Sequence, residues 1–265
     1  MSTSKISMLR RSIFWLCLLI AVVGITYHYD KTLISDGWDS IATSTQKKEL
    51  PIYCVKTDKP QVAISFDAAW GNEDTGTLLK ILSQYNIKTT FFMTGGWVEK
   101  YPEDVKAIHA AGHDLGNHSE HHKHMSELTY NEVQSEINDV TEKVQKLTGE
   151  TMQLFRPPYG DYDNQLIYQL RECGYYPIQW SVDSLDWKNY GVDSIIDTVL
   201  NHKALKNGAI ILMHNGGKYT AKALPRVIEG LQKKGYEIVP ISELIYQDHY
   251  HIEVDGSQVQ DSDKH

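Results

Sequence analysis

Short strand-like runs alternate with helical patterns between residues 60 and 246. Alternation of this kind indicates an α/β fold with a parallel sheet and helical crossovers, either closed into a barrel or open and doubly wound. The seven predicted strands are VAISFD (62–67), KTTFFMT (88–94), HDLGNH (113–118), MQLFR (152–156), YYPIQW (175–180), GAIILMH (208–214) and YEIVP (236–240). The predicted helices cover residues 75–85, 102–111, 129–147, 164–173, 192–200 and 221–234.

The first 29 residues have a different pattern. Lys5, Arg10 and Arg11 precede an uncharged, largely apolar run over residues 12–29, which is typical of an export signal or a membrane anchor. No clean A-x-A cleavage site lies near residues 24–27, and this favours an uncleaved anchor. Because basic residues stay on the cytoplasmic side, we expect the rest of the chain outside the cytoplasm, or secreted if the anchor is cleaved.

Two polar stretches flank the alternating region. Residues 30–59 lack hydrophobic periodicity and predict a linker between membrane and domain. Residues 247–265, which end in DGSQVQDSDKH, predict a disordered tail. The sequence therefore predicts one folded domain over residues 60–246, without internal repeats, which we expect to be monomeric.

Composition narrows the range of partners. The 265 residues are 41% hydrophobic and 23% charged, with a formal net charge of −8. A chain this acidic is unsuited to nucleic acid, because phosphate binding draws its affinity from Lys and Arg. A neutral polymer fits better. Of the three cysteines, Cys17 lies in the predicted anchor, so only Cys54 and Cys173 could pair, and nothing in the sequence requires that they do.

Polar or aromatic residues end five of the predicted strands. They are Asp67, His118, Arg156, Trp180 and His214. Folds built from parallel strands and helices place their chemistry at the carboxyl ends of the strands. We therefore expect these five side chains to share one site.

A cluster of histidines occurs in NHSEHHKH, residues 117–124. His118 and His122 are four residues apart, so a helical turn would direct both imidazoles to one side, where they could share a divalent ion. His121 and His124 offer other spacings. A solvated helix face is the alternative interpretation of the cluster.

Three further motifs follow strands. In FRPPYG (155–160), a rigid Pro-rich turn could aim Arg156 at a carboxylate, or leave it as an ordinary surface residue. In WSVDSLDW (180–187), aromatic and acidic side chains suit sugar binding, and a carboxylate there could orient a histidine and raise its pKa, although Asp183 could equally cap a helix. In LMH, His214 is followed by Asn and two glycines, so its side chain could lie at an exposed strand end that suits proton transfer. The alternative interpretation is a histidine buried in the core.

The ordered set SFD, HSxxH, RPPYG, WSVDSLDW and LMH, within residues 62–214, resembles the NodB-like polysaccharide deacetylases, carbohydrate esterase family 4. The resemblance implies a distorted (β/α)7 barrel. It also implies an enzyme that uses a divalent metal, zinc or a similar ion, to remove N-acetyl groups from amino sugars of peptidoglycan, chitin or a similar glycan.

The resemblance also assigns roles to single residues. Asp67 would be the general base that deprotonates water, braced by Arg156. His118 and His122 would hold the metal. His214, oriented by Asp186, would protonate the departing amine. Three further residues would meet the substrate: the backbone N–H of Tyr159 would bind the oxyanion, and Trp180 and Leu212 would form the walls of an acetyl pocket.

One position departs from the family pattern. Ala68 stands where the family has a second Asp, the third protein ligand of the metal, and a methyl group cannot coordinate a cation. Asp67 itself, waters, or Glu73 or Asp74 would then have to complete the site. The motif FDAAWG also resembles that of a subgroup associated with spore formation.

Two other functions stay open from the sequence. The first is a glycan-binding pseudoenzyme, in which Ala68 has cost the metal but the cleft still holds sugar. The second is a glycoside hydrolase that pairs Asp67 with Asp183 or Asp186, which would leave the two histidines without a role.

Overall fold

The computed structural model describes residues 48–261. The predicted anchor and residues 30–47 of the predicted linker lie outside this range, as does the end of the predicted tail after residue 261. Within residues 48–261, no helix combines the length and the apolar character that a membrane span requires.

Eleven strands form within the described residues, and all seven predicted strands are among them. The additional strands are β1, β7, β10 and β11. In chain order the strands are β1 (Cys54–Val55), β2 (Gln61–Ala68), β3 (Thr90–Met93), β4 (Asp114–Asn117), β5 (Leu154–Phe155), β6 (Tyr176–Pro177), β7 (Val182–Asp183), β8 (Ile210–His214), β9 (Glu237–Ile238), β10 (Tyr250–Ile252) and β11 (Ser257–Gln260).

The main sheet contains eight strands and is parallel throughout. Its order is β6-β5-β4-β3-β2-β8-β7, and β9 pairs with β2. The α/β alternation predicted from the sequence is therefore confirmed. The predicted seven-stranded barrel is only partly formed, since β6 and β7 stand at the two ends of this order and do not pair with each other within residues 48–261.

Within residues 48–261, all six predicted helices are present to within two residues at each end, together with two short additional ones. They are α1 (Thr75–Gln84), α2 (Gly95–Lys100), α3 (Pro102–Ala110), α4 (Tyr130–Thr148), α5 (Asn164–Glu172), α6 (Val192–Leu200), α7 (Thr220–Lys233) and α8 (Ile241–Leu244), of which the short α2 and α8 were not predicted. In α4, Thr129 and Glu132 form a capping box, and Gly149 ends the helix with φ of 77°.

The predicted linker contributes to the fold at its end. The backbone of Ile52 bonds to both Pro177 and Gln179, next to β6, and Val55 N–H donates to the Gly208 carbonyl, just before β8. Ile52 and Val55 are 2% and 1% exposed. Residues 52–55 therefore pair with the backbone next to β6 and β8. The prediction of a polar linker up to residue 59 is wrong for this segment.

The predicted disordered tail is also folded over most of the described part. Strand β11 pairs in parallel with β1, and β10 pairs antiparallel with β11. Gln258 is fully buried and exchanges hydrogen bonds with the backbone of Tyr246, at 2.9 and 2.6 Å. This stretch looks disordered in sequence because its strands are short and polar. Its order comes from pairing with β1, which is about 200 residues away along the chain.

The two faces of β2 serve different purposes. Side chains alternate along a strand, so Ile64, Phe66 and Ala68 pack in the main apolar core with the helices. Ser65 and Asp67 face the other side. The strand thus presents one carboxylate at its carboxyl end while its last residue, Ala68, is buried in the core.

Candidate active site

The carboxyl ends of the strands surround a pocket of about 470 Å³. Every one of the strand-end residues predicted to share a site except Arg156 lines it, and Arg156 lies directly beneath, bonded to Asp67. The lining residues are Asp67, Trp70, His118, His122, Pro157, Tyr159, Trp180, Asp183, Trp187, Leu212 and His214. The predicted convergence at this edge of the sheet is present in the structure.

Asp67 and Arg156 form a buried ion pair. Arg156 Nη1 donates to Asp67 Oδ1 at 2.6 Å, and Nη2 donates to Ser65 Oγ at 2.9 Å and to the Gln179 carbonyl at 3.3 Å. The guanidinium also lies 4.1 Å from the centre of the Phe92 ring. Burial alone would raise the pKa of Asp67. The charge and hydrogen bond of Arg156, together with the nearby His118 and His214, outweigh burial and hold this pKa below its ordinary value. Asp67 is therefore kept ionised and fixed in one orientation.

His118 stands against the same carboxylate. Its Nδ1 donates to the Arg156 carbonyl at 2.6 Å, because a carbonyl oxygen can only accept. Its Nε2 lies 3.5 Å from Asp67 Oδ2. Burial lowers the pKa of His118, so the neutral ring turns a lone pair toward a carboxylate oxygen. A neutral imidazole lone pair next to an ionised carboxylate suits a cation bound by the imidazole nearby.

His122 joins this group by a route that the sequence did not predict. Residues 118–124 form an irregular loop, so the expected helical turn is wrong. The rings of His118 and His122 nevertheless lie 4.9 Å apart, because Ser119 and His122 adopt φ of 66° and 55°. Burial, with the nearby His118, lowers the pKa of His122 to about 4. Neutral imidazole is the form that binds metals.

A buried glutamate on α4 holds this loop in place. Glu136 is 3% exposed and accepts hydrogen bonds from the backbone and the ring of His121, at 2.7 and 3.0 Å. It also pairs with Lys123 Nζ at 2.9 Å. His121 is thereby occupied as a support of the loop, between the two histidines that face the pocket.

Neither of the two carboxylates proposed to replace the missing ligand at Ala68 reaches the pocket. Asp74, one of the two candidates, accepts a hydrogen bond from the Gly216 backbone at 2.7 Å, and Glu73 folds back against Gly71. Neither lines the pocket. Among residues 48–261, no group of three His, Cys, Asp or Glu side chains is arranged as a ready metal cluster. The donors that fit a cation are thus the two imidazoles, with Asp67 as the adjacent carboxylate.

On the other side of the pocket, His214 is paired with Asp186. The carboxylate of Asp186 is fully buried. It accepts three hydrogen bonds at 2.7 Å, from Nδ1 and the backbone N–H of His214 and from Thr220 Oγ1. Burial would lower the pKa of His214, but the hydrogen bond and charge of Asp186 outweigh it and raise this pKa. The predicted partnership of these two residues is present, and it leaves Nε2 of His214 free for the pocket.

Aromatic and apolar side chains form the walls. Trp180 and Leu212 line the pocket as predicted, and Leu212 is 3% exposed. Tyr159 is held with φ of 60° and its ring lies 4.5 Å from that of His122. His124 stacks on Tyr159 at 4.3 Å and does not line the pocket.

Sequence reasoning missed three residues of this site. Ser65 could have been found as a hydroxyl inside an otherwise apolar strand, and Trp70 as a large ring in the turn that follows it. Glu136 had no comparable signal, because an acidic residue in an amphipathic helix is ordinarily exposed.

Comparison with known proteins gives one consistent result. Residues 55–178 match the polysaccharide deacetylase family. The chain is 32% identical over 203 residues to the peptidoglycan-N-acetylmuramic acid deacetylase PdaA of Bacillus subtilis, which covers 74% of this chain and 75% of that protein. It is 35% identical over 200 residues to a peptidoglycan-N-acetylglucosamine deacetylase of Bacillus cereus, with 74% and 92% covered. The chain spans 60% of the length of a further relative, an uncharacterized protein of Bacillus subtilis, at 35% identity.

The fold is also shared with a protein described as a pseudoenzyme. The structure of BA3943 from Bacillus anthracis, a pseudoenzyme of carbohydrate esterase family 4, aligns with a TM-score of 0.71 and 30% identity over 79% of this chain and 73% of that one. Fold alone therefore does not decide activity, whereas the sequence matches to deacetylases identify the family. The chain belongs to the polysaccharide deacetylases, the NodB-type enzymes of carbohydrate esterase family 4.

Proposed function

We propose that this protein is a metal-dependent de-N-acetylase of a cell-wall glycan, which hydrolyses the acetamide of an amino sugar. One observation carries the proposal. A fixed, ionised carboxylate and a histidine of raised pKa face one pocket, each held by its own buried partner. Amide hydrolysis needs a base for water and an acid for nitrogen, and this pocket separates the two roles.

Asp67 is the residue that would accept the proton of the attacking water. Arg156 keeps it ionised and aims Oδ2 away from the ion pair, toward the pocket and His118. A carboxylate with a depressed pKa is a weak base, so the water that it activates must itself be made more acidic. A divalent ion such as zinc, held by His118 and His122 beside Asp67, would supply that acidity and would polarise the acetamide carbonyl.

His214 would supply the proton that the departing nitrogen requires. An amine leaves as a neutral molecule only if it is protonated as the C–N bond breaks. Asp186 raises the pKa of His214 and fixes the ring through Nδ1, so a protonated Nε2 points into the pocket. The arrangement keeps an acid available near neutral pH.

The walls fit a small acyl group. Trp180 and Leu212 offer an apolar surface for the acetyl methyl, and the turn at Tyr159 carries the backbone N–H that the family resemblance assigns to the oxyanion. The names of the relatives support peptidoglycan as the glycan, through either N-acetylglucosamine or N-acetylmuramic acid.

We also propose that the enzyme acts outside the cytoplasm, tethered by its first 29 residues. The basic start and uncharged run of that segment support this location. A peptidoglycan substrate would be accessible from there.

The experiment is acetate release from peptidoglycan and from N-acetylglucosamine oligomers by the purified full-length protein. We expect release that is lost on chelation, returns with added zinc, and is abolished in His214→Ala. Tyr130→Ala is the matched control, because Tyr130 is an exposed aromatic residue that does not line the pocket. Glycan binding without acetate release would instead identify a pseudoenzyme, and new reducing ends would identify a glycoside hydrolase.

A further inference from the structure

Trp70 is a large apolar side chain that the proposed chemistry does not use. Its side chain is 61% exposed at the mouth of the pocket. By contrast, Trp97 is 1% exposed and belongs to the apolar core. A tryptophan that serves stability is expected to be buried, since its contribution comes from surface removed from water. Since Trp70 is both exposed and part of the pocket lining, it is placed to contact a ligand there.

The backbone beneath Trp70 is fixed. The carbonyl of the next residue, Gly71, accepts two hydrogen bonds at 3.0 Å, from Trp97 Nε1 and from Asn215 Nδ2. Both donors belong to residues that are 1% exposed. An exposed indole on so well anchored a turn is a pre-organised contact surface rather than a mobile lid.

Trp70 also connects the two halves of the site. Its ring lies 5.4 Å from the ring of His122 and 6.3 Å from that of His214. The interplanar angles are 57° and 40°, so neither imidazole stacks flat on the indole. With the exposure of the side chain, this leaves an indole face available to a ligand.

We infer that Trp70 is a specificity-determining residue, on which the pyranose ring that carries the acetamide stacks. This inference rests on the proposed deacetylase function. One face of a pyranose presents C–H groups, while equatorial substituents project from its edge. A sugar stacked on Trp70 therefore directs its acetamide along the indole plane, into the space between His122 and His214. The site would select acetamides borne on a sugar ring over acyclic acetamides.

The test compares Trp70→Ala with Trp70→Phe in the full-length protein, using the N-acetylglucosamine tetramer. Loss of the ring should raise KM about tenfold, the effect of about 1.4 kcal/mol of binding, and leave kcat within about twofold. Trp70→Phe should keep most of the affinity. Tyr130→Ala, which removes an exposed aromatic ring outside the pocket, should behave as wild type.

Two kinetic results would overturn the inference: an unchanged KM in Trp70→Ala, or a fall in kcat at constant KM, which would make the ring a support of the histidines. Calorimetric titration of the N-acetylglucosamine tetramer into His214→Ala and into Trp70→Ala/His214→Ala measures binding without turnover. If the wild type released no acetate, the proposed function would fail, and this titration would still decide the role of Trp70. Equal affinities, or no binding to either variant, would refute it.

Discussion

From the buried ion pair of Asp67 and Arg156 we predict a large loss of stability when one partner is removed. The change is Arg156→Met, which keeps an unbranched apolar stem and removes the charge. It breaks the bond to Asp67 at 2.6 Å and the bonds to Ser65 Oγ and the Gln179 carbonyl. The carboxylate stays behind with a side chain that is only 7% exposed. Little of the carboxylate is therefore open to water that could replace the lost partner.

The expected loss of stability follows from that burial. Removing one partner of a buried ion pair costs about 3–5 kcal/mol, because the other charge is left uncompensated. A domain has in total only about 5–15 kcal/mol of unfolding free energy. With a urea dependence of about 2 kcal/mol per molar, the unfolding midpoint should fall by roughly 2 M.

The assay is urea unfolding at neutral pH, followed by circular dichroism, for four proteins: the wild type, Arg156→Met, Asp67→Asn and the double variant. The double variant should be more stable than the sum of the two single losses predicts, since it leaves no buried charge. Arg226→Met is the matched control. Its partner in the structure is Asp193, and the two side chains are 58% and 88% exposed, so no measurable change is expected.

Two results would refute this reasoning. A loss below about 1 kcal/mol in Arg156→Met would place the pair among ordinary surface ion pairs. Strict additivity in the double variant would show that the two charges do not interact, whatever their separation in the structure.

Three further predictions test the acid side, the histidine loop and the C-terminal strands. The raised pKa of His214 stabilises the folded state at pH values below 6.5, the pKa of the unfolded chain, and this stabilisation is lost as pH rises through the pKa of the folded state. The free energy of unfolding should therefore fall above about pH 6.5. This slope should disappear in His214→Gln. Correspondingly, Asp186→Asn should move the alkaline limb of kcat/KM to lower pH. Glu136→Ala should weaken zinc binding about tenfold in calorimetry, because its loop loses support; unchanged affinity would contradict this. Truncation after Gln247 should lower Tm by roughly 5 °C or more in thermal unfolding, whereas a disordered tail could be removed without effect.

Much of the main sheet could be predicted from the sequence because its strands are continuous runs between clear helices. Strand β2 is buried at seven of its eight positions, and α4 carries both a capping box and a terminal glycine. These are local signals, and the hydrophobic pattern reports them directly. The convergence of Asp67, His118 and His214 then follows from parallel topology alone.

The features that were missed depend on contacts between distant parts of the chain. Residues 118–124 leave the helical path because Asn117 Oδ1 accepts from Ser119 N–H and Glu136 holds His121. Nothing in NHSEHHKH indicates two left-handed residues that are not glycine. Likewise, β1 and β11 have two and four residues, too few to show a period, and each exists because the other pairs with it.

Because Ala68 cannot bind a metal, Asp67 could be needed both as a metal ligand and as the general base. In the family pattern a second aspartate would carry the negative charge that a dication requires, and Asp67 would serve as base alone. Here the charge of Asp67 is already balanced by Arg156 at 2.6 Å, and burial favours the neutral forms of His118 and His122. The donors around a bound cation would therefore carry almost no net negative charge. If Asp67 bound the metal directly, it would lose the lone pairs that a base needs. The proposed function uses the other solution: Arg156 engages Oδ1 of Asp67, and Oδ2, which faces the pocket side with His118, is left for the proton of the attacking water. Under the proposed function, Asp67 would therefore keep its role as base, and we expect Ala68 to reduce the strength of metal binding instead.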